Sequence, residues 1–181
     1  DIKTQSGTLP DEAELENPAA VANLSFGQGS LTATPVQIAQ MICTVANGGY
    51  AVTPRLVEGF TDNGRTIYEH ATAYAPNRVF SKRTSDILRE FLVGNVENGS
   101  GRPAKPNYST AGGKTASAQT GIYRTPGDED SEIVHAWFAG YFPAESPKYA
   151  IAVLVEGGES GQDVAGPIFK RIADGIYLSK S

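Results

Sequence analysis

Two apolar runs, Ile133 to Phe142 and Tyr149 to Val155, are joined by the short connection Pro143-Ala144-Glu145-Ser146-Pro147-Lys148. Two strand-length runs separated by a turn-rich linker predict neighbouring antiparallel strands. Tyr149 to Val155 is apolar at both alternating sets of positions, the pattern of a strand covered on both faces. Neither run approaches the ~18–20 apolar residues needed to cross a membrane. A sheet covered on both faces needs helices, and the flanking sequence provides them.

Thr34-Pro35-Val36-Gln37 reads as a capping box with proline at the first helical position. Val36, Ile38, Met41, Ile42 and Val45 follow with a helical period, and Asn47-Gly48-Gly49 ends the helix. A second helix starts at Ser81, has Ile87, Leu88, Phe91, Leu92 and Val96 as its apolar stripe, and stops at Asn98-Gly99. A third runs from Asp163 to about Tyr177, with Ile168, Ile172 and Ile176 on one stripe. Between the first two, Tyr50 to Phe60 reads as an edge strand, Asp62-Asn63-Gly64 as a turn and Thr66-Ile67-Tyr68 as the returning strand. Residues 1–24 show no period and read as an irregular lead-in. Grouped strands flanked by helices predict an α+β fold, an antiparallel sheet flanked by helices.

Charge and cysteine content exclude several functions. The chain carries 15 basic and 20 acidic residues, net −5, with no basic run longer than Lys82-Arg83, so nucleic acid is not an expected partner. The single Cys43 excludes an internal disulfide and a cysteine-based zinc site; on an apolar helix it reads as a small buried hydrophobe. The N-terminus has no apolar signal segment. Asp128, Glu129, Asp130 and Glu132 lack calcium-loop spacing and read as part of a solvated loop from Thr120 to Glu132. His135 reads as structural, His70 as isolated in a polar loop, and Trp137 as core or cleft wall. No metal site and no cofactor is expected.

The segment with the most chemistry is Ala111-Gly112-Gly113-Lys114-Thr115-Ala116-Ser117-Ala118-Gln119-Thr120-Gly121. A phosphate loop is excluded, because Tyr108 stands where its first glycine is required. As a strand, the segment puts Thr115 and Ser117 on one face. Two readings fit: Lys114 supplies positive charge to a ligand while the backbone pairs with an extended peptide, or the segment is an edge strand with a solvated lysine. Gly112, Gly113, Ala116 and Ala118 are small enough to let a substrate approach closely.

Ser25-Phe26-Gly27-Gln28-Gly29, Thr34-Pro35-Val36-Gln37-Ile38-Ala39, Ala46-Asn47-Gly48-Gly49, Gly112-Gly113-Lys114-Thr115, His135-Ala136-Trp137-Phe138-Ala139-Gly140-Tyr141 and Ala150-Ile151-Ala152-Val153-Leu154-Val155-Glu156 occur in that order. The series resembles the C-terminal half of the transpeptidase domain of penicillin-binding proteins, nearer to the monofunctional class B enzymes. The resemblance implies the penicillin-binding transpeptidase/serine β-lactamase-like fold. It makes residues 25–181 the C-terminal part of that domain and 1–24 a remnant of its upstream part. It implies a serine D,D-transpeptidase that cross-links cell-wall stem peptides ending in D-Ala-D-Ala and reacts with β-lactams. It also implies a parent protein anchored at the extracytoplasmic face of the bacterial membrane. By the same resemblance, Lys114 and Thr115, with Ala116 at the third motif position, bind the ligand's carboxylate, and the Ser117 N–H donates to an oxyanion hole.

Two departures stand out. The third motif position is Ala116 where the family has glycine, and its methyl narrows the approach to the strand. No Ser-x-x-Lys and no Ser-x-Asn occurs in the 181 residues; Thr61-Asp62-Asn63 mimics the latter but reads as a turn. Acyl transfer needs an activated nucleophile, so this chain alone is expected to be inactive. The alternative is a non-catalytic module of the same fold that binds peptide or β-lactam.

Overall fold

The computed structural model describes residues 5–57, 59–69 and 77–180; His70 lies outside them. The elements are α1 (Glu12–Leu15), α2 (Pro18–Ser25), α3 (Pro35–Ala46), β1 (Gly59–Asp62), β2 (Arg65–Glu69), α4 (Lys82–Asn98), β3 (Gly112–Tyr123), β4 (Glu132–Phe142), β5 (Tyr149–Val155) and α5 (Gly166–Leu178). The three long strands form one antiparallel sheet in the order β3-β4-β5, and β1 and β2 form a separate hairpin.

The sheet is covered on both faces, as the apolar runs require. Ala136, Phe138 and Phe142 of β4 and Val153 of β5 pack with Phe169 and Ala173 of α5. The Phe138 and Phe169 rings are 4.7 Å apart. On the opposite face, Ala139 and Tyr141 of β4 meet Ile42 of α3, with Leu92 and Val93 of α4 against them. Alternate residues of one strand thus feed two cores, which is why β4 is apolar almost throughout. Burial of Tyr141 pushes its phenol pKa up, against a smaller lowering by Arg89.

The helix signals are realised. The Thr34 side chain accepts from Gln37 N and the Gln37 side chain answers at the Thr34 backbone. Ser81 caps α4 by accepting from Thr84 N. The buried Ser85 hydroxyl donates to Val45 O at 2.6 Å and ties α4 to α3. Asn63 and Gly64 both take positive φ in the β1–β2 turn, as a tight hairpin requires.

Four expectations are corrected. Residues 1–24 are not irregular throughout: Asp11 and Asn17 cap α1 and α2, which bury no residue, so no apolar period announces them. Among the described residues of the expected strand Tyr50 to Phe60, only Gly59 and Phe60 are in a strand; Tyr50 makes an isolated bridge to Arg78. The expected loop from Thr120 to Glu132 is shorter, because β3 continues to Tyr123 across an irregularity at Gly121, whose φ is +67°. The last helix begins at Gly166, after a five-residue π-helical turn from Gly161 to Ala165 capped by Ser160. Cys43 is half-buried, and burial pushes its thiol pKa up.

The segment leading into β3 is fastened to α5. The Asp174 carboxylate accepts from Asn107 N at 2.7 Å, Asn107 Nδ2 at 2.9 Å and Tyr108 N at 3.3 Å. Tyr108 stacks on Tyr177 with centroids 5.9 Å apart.

Candidate active site at the open edge of strand β3

β3 lies at the edge of its sheet, with β4 on one side and no strand on the other among the described residues. Directly opposed residues share a face. Thr115 and Ser117 oppose Phe138 and Ala136, so they lie on the α5 face. Lys114 and Ala116 oppose Ala139 and Trp137, so they lie on the α3 face. Thr115 is buried at 8% exposure, whereas Lys114, Ala116 and Ser117 are exposed. The expected shared face of Thr115 and Ser117 is therefore present, with only Ser117 open on it.

The backbone polarity of this edge follows from three hydrogen bonds made outside the ladder. Gly113 O accepts from Asn95 Nδ2 at 2.8 Å, Thr115 O from Lys114 Nζ at 2.7 Å and Ser117 O from Gln28 Nε2 at 3.5 Å. In a strand, the N–H and C=O of one residue point to the same side, and successive residues alternate. The N–H groups of Thr115 and Ser117 therefore point to the open edge. Lys114 curls over that edge, its ammonium also 3.4 Å from Thr115 Oγ1. A cation and outward N–H donors on one exposed edge can hold an anion or pair with an extended peptide.

Gly112 and Gly113 do not serve substrate approach. Both are buried, and aromatic rings occupy the space a side chain would take. A Cβ on Gly113 would stand 2.5 Å from Phe138 Cζ and one on Gly112 2.7 Å from Tyr141 Cζ. Their role is packing, while Ala116 leaves a small exposed surface at the edge. Gly161 is constrained likewise: a Cβ there would be 2.4 Å from Ala116 O and Trp137 O.

Other singled-out residues take structural roles. His135 Nδ1 accepts from Gly157 N at 3.2 Å. Trp137 is half-buried beside Ala116. The Asp128 carboxylate accepts from Asp130 N in the turn, and the Glu132 carboxylate accepts from Gln119 Nε2 and Gly121 N.

Sequence reasoning missed Asn95 and Ser100. The Ser100 hydroxyl lies 2.8 Å from Thr115 Oγ1 and donates to Asn95 Oδ1 at 3.2 Å. Both residues sit where a helix terminus and a Gly/Pro loop were expected, and nothing local marks a polar pair there as reaching the strand. Gln28 belongs to the Ser25–Gly29 motif, but its reach to Ser117 is a tertiary contact.

Residues 1–174 match the family described as penicillin binding protein transpeptidase domain. The chain is 30% identical over 173 residues to the peptidoglycan D,D-transpeptidase PbpA of Mycobacterium tuberculosis, covering 93% of this chain and 33% of that protein. It is 30% identical over 168 residues to the peptidoglycan D,D-transpeptidase MrdA of Haemophilus influenzae, covering 87% and 26%. It superposes on penicillin-binding protein A from M. tuberculosis in a penicillin G acyl-enzyme complex with a TM-score of 0.72 at 27% identity, over 92% of this chain and 36% of that one. A peptidoglycan synthetase from Bifidobacterium adolescentis shares the fold, with a TM-score of 0.79 at 18% identity over 96% and 32%. The chain thus spans about a third or less of the length of these curated relatives. The ordered motifs, the β3-β4-β5 sheet between helices and these matches agree: the chain belongs to the family of penicillin-binding protein transpeptidase domains.

Proposed function

We propose that the chain is the C-terminal part of a class B peptidoglycan D,D-transpeptidase. The parent cross-links stem peptides through a serine acyl-enzyme at the extracytoplasmic face of the membrane. The observation that carries this reading is the open β3 edge, where the Lys114 ammonium and the outward Ser117 N–H stand together. Lys114 attracts the carboxylate of D-Ala-D-Ala or of a β-lactam. The Ser117 N–H is preorganised for the charge that develops on the carbonyl oxygen, an interaction typically worth about 10²–10³ in rate. Thr115 and Ala116 complete the strand that the ligand lies against, with the Ala116 methyl beside Lys114 on the α3 face.

The nucleophile comes from polypeptide other than these 181 residues, which contain no Ser-x-x-Lys. Phe26, Val36 and Met41 are exposed, an apolar surface of the kind that further polypeptide of the domain covers. No helix among the described residues is long and apolar enough to cross a membrane, so the proposed anchor also lies elsewhere.

The test is covalent labelling with fluorescent penicillin. The 181-residue chain is expected to remain unlabelled, while the full-length protein that carries it is labelled at one serine. Stoichiometric labelling of the 181-residue chain would place the nucleophile inside it and refute the proposed division of labour. An unlabelled full-length protein would refute the transpeptidase reading.

A further inference from the structure

Gln28 reaches β3 from a short arm whose backbone is fixed. Helix α2 ends in a two-bond cap: Gly27 N donates to Leu24 O at 3.0 Å and Gln28 N to Asn23 O at 2.9 Å. With Gly27 at φ +80°, this is the Schellman arrangement. Gly29, at φ +92°, turns the chain again on the far side of Gln28. The arm is braced further out. Thr8 and Thr32 exchange both backbone hydrogen bonds at 3.1 Å, and Ser30 Oγ donates to the Glu14 carboxylate at 2.6 Å. From Ser25 to Ser30 every residue is exposed except Gln28, which is half-buried. Its side chain alone leaves the arm, and its amide nitrogen donates to Ser117 O at 3.5 Å.

The oxygen it donates to is one that a peptide pairing with this edge needs. The N–H and C=O of Ser117 both face the open edge. An extended peptide added there in antiparallel register pairs with Ser117 twice. The carbonyl oxygen of one ligand residue accepts from Ser117 N, and the N–H of that same residue donates to Ser117 O. The first contact holds the carbonyl that is attacked. The second falls where the Gln28 amide already stands. A glutamine side-chain amide is chemically a peptide amide, so Gln28 covers Ser117 O as a neighbouring strand would. At 3.5 Å the bond is long for N–H···O, so it is readily given up.

We propose that Gln28 is a gate on the β3 edge: its side-chain amide stands on Ser117 O in place of a ligand's own amide N–H, and it leaves when a ligand carrying that N–H pairs with the strand. This deepens the transpeptidase reading and rests on it. Gln28 thereby takes part in selecting ligands. A ligand with an amide N–H at this place exchanges one donor on Ser117 O for another. A ligand with no group there leaves Gln28 where it is.

The test uses the full-length protein carrying this chain and two probes. Benzylpenicillin carries an acylamino N–H beside its reactive ring, and imipenem carries a hydroxyethyl group in that position. Second-order acylation rates are measured for wild type, Gln28→Met, which keeps the length and removes the donor, and Gln28→Ala. In both variants benzylpenicillin no longer has a competitor for Ser117 O. The preference for benzylpenicillin over imipenem is expected to rise about threefold, the low end for one neutral hydrogen bond. An unchanged preference, including equal losses with both probes, would overturn the proposal by showing that Gln28 does not contend with the acylamino group. A reduced preference would overturn it by making Gln28 a partner of the ligand. A crystal structure of the benzylpenicillin adduct with Gln28 Nε2 still on Ser117 O would do the same. A wild-type protein acylated by neither probe fails differently, because it sinks the transpeptidase reading itself.

Discussion

Replacing Lys114 with methionine in the full-length protein should lower the rate of acylation by penicillin about 10²–10³-fold, with little change in thermal stability. Methionine keeps the length and apolar character of the stem and removes only the charge. The side chain is exposed at the edge of β3, and exposed substitutions of this kind usually stay within about 0.5 kcal/mol. Its ammonium bonds Thr115 O at 2.7 Å, a contact on the open edge and outside the β3–β4 ladder. Nothing in either core depends on it. Rate and stability should therefore separate, and parallel labelling kinetics and thermal unfolding of the same preparation check this. A variant that labels at the wild-type rate would remove Lys114 from the site.

Gly113→Val should do the opposite and act through the fold. Gly113 is buried opposite Gly140 in the β3–β4 pair. An added Cβ meets Phe138 Cζ at 2.5 Å, Phe138 Cε1 at 2.7 Å and Ala139 O at 2.8 Å. Phe138 is itself fully buried against Phe169, so its ring has nowhere to retreat without disturbing the α5 core. Overpacking typically costs about 1–3 kcal/mol. Here the branched side chain also meets backbone, so a loss of about 3 kcal/mol or more is expected. Urea unfolding of the 181-residue chain measures it. A loss below about 1 kcal/mol would show that the glycine is kept for another reason, such as ligand approach.

These two substitutions sit at neighbouring positions, and the sequence speaks to them differently. Lys114 is singled out through the ordered motif series, since on its own a lysine on an edge strand reads equally as a solvated side chain. Gly113 was misread as room for a substrate, because the sequence does not say which aromatic ring will lie under it. The long strands and the capped helices were readable for a related reason: alternation in β4 and β5, the Thr34–Gln37 box and the Ser81 cap are local patterns that determine local structure. Helices α1 and α2 escaped because they bury nothing and so carry no periodic signal. The extension of β3 to Tyr123 escaped because Gly121 interrupts its alternation. Asn95 and Ser100 could not be found, and neither could the reach of Gln28 to Ser117, since each acts on β3 from another part of the chain.

The central claim is that the exposed side of β3 grips the acidic end of a ligand whose carbonyl is attacked by a serine outside this chain. A crystal structure of the full-length protein after reaction with penicillin tests it most directly. The account predicts the drug's carboxylate within ~3 Å of Lys114 Nζ and its ester carbonyl oxygen within ~3 Å of Ser117 N. An acylated protein whose drug lies away from β3, with Lys114 still bonded only to Thr115, would contradict it.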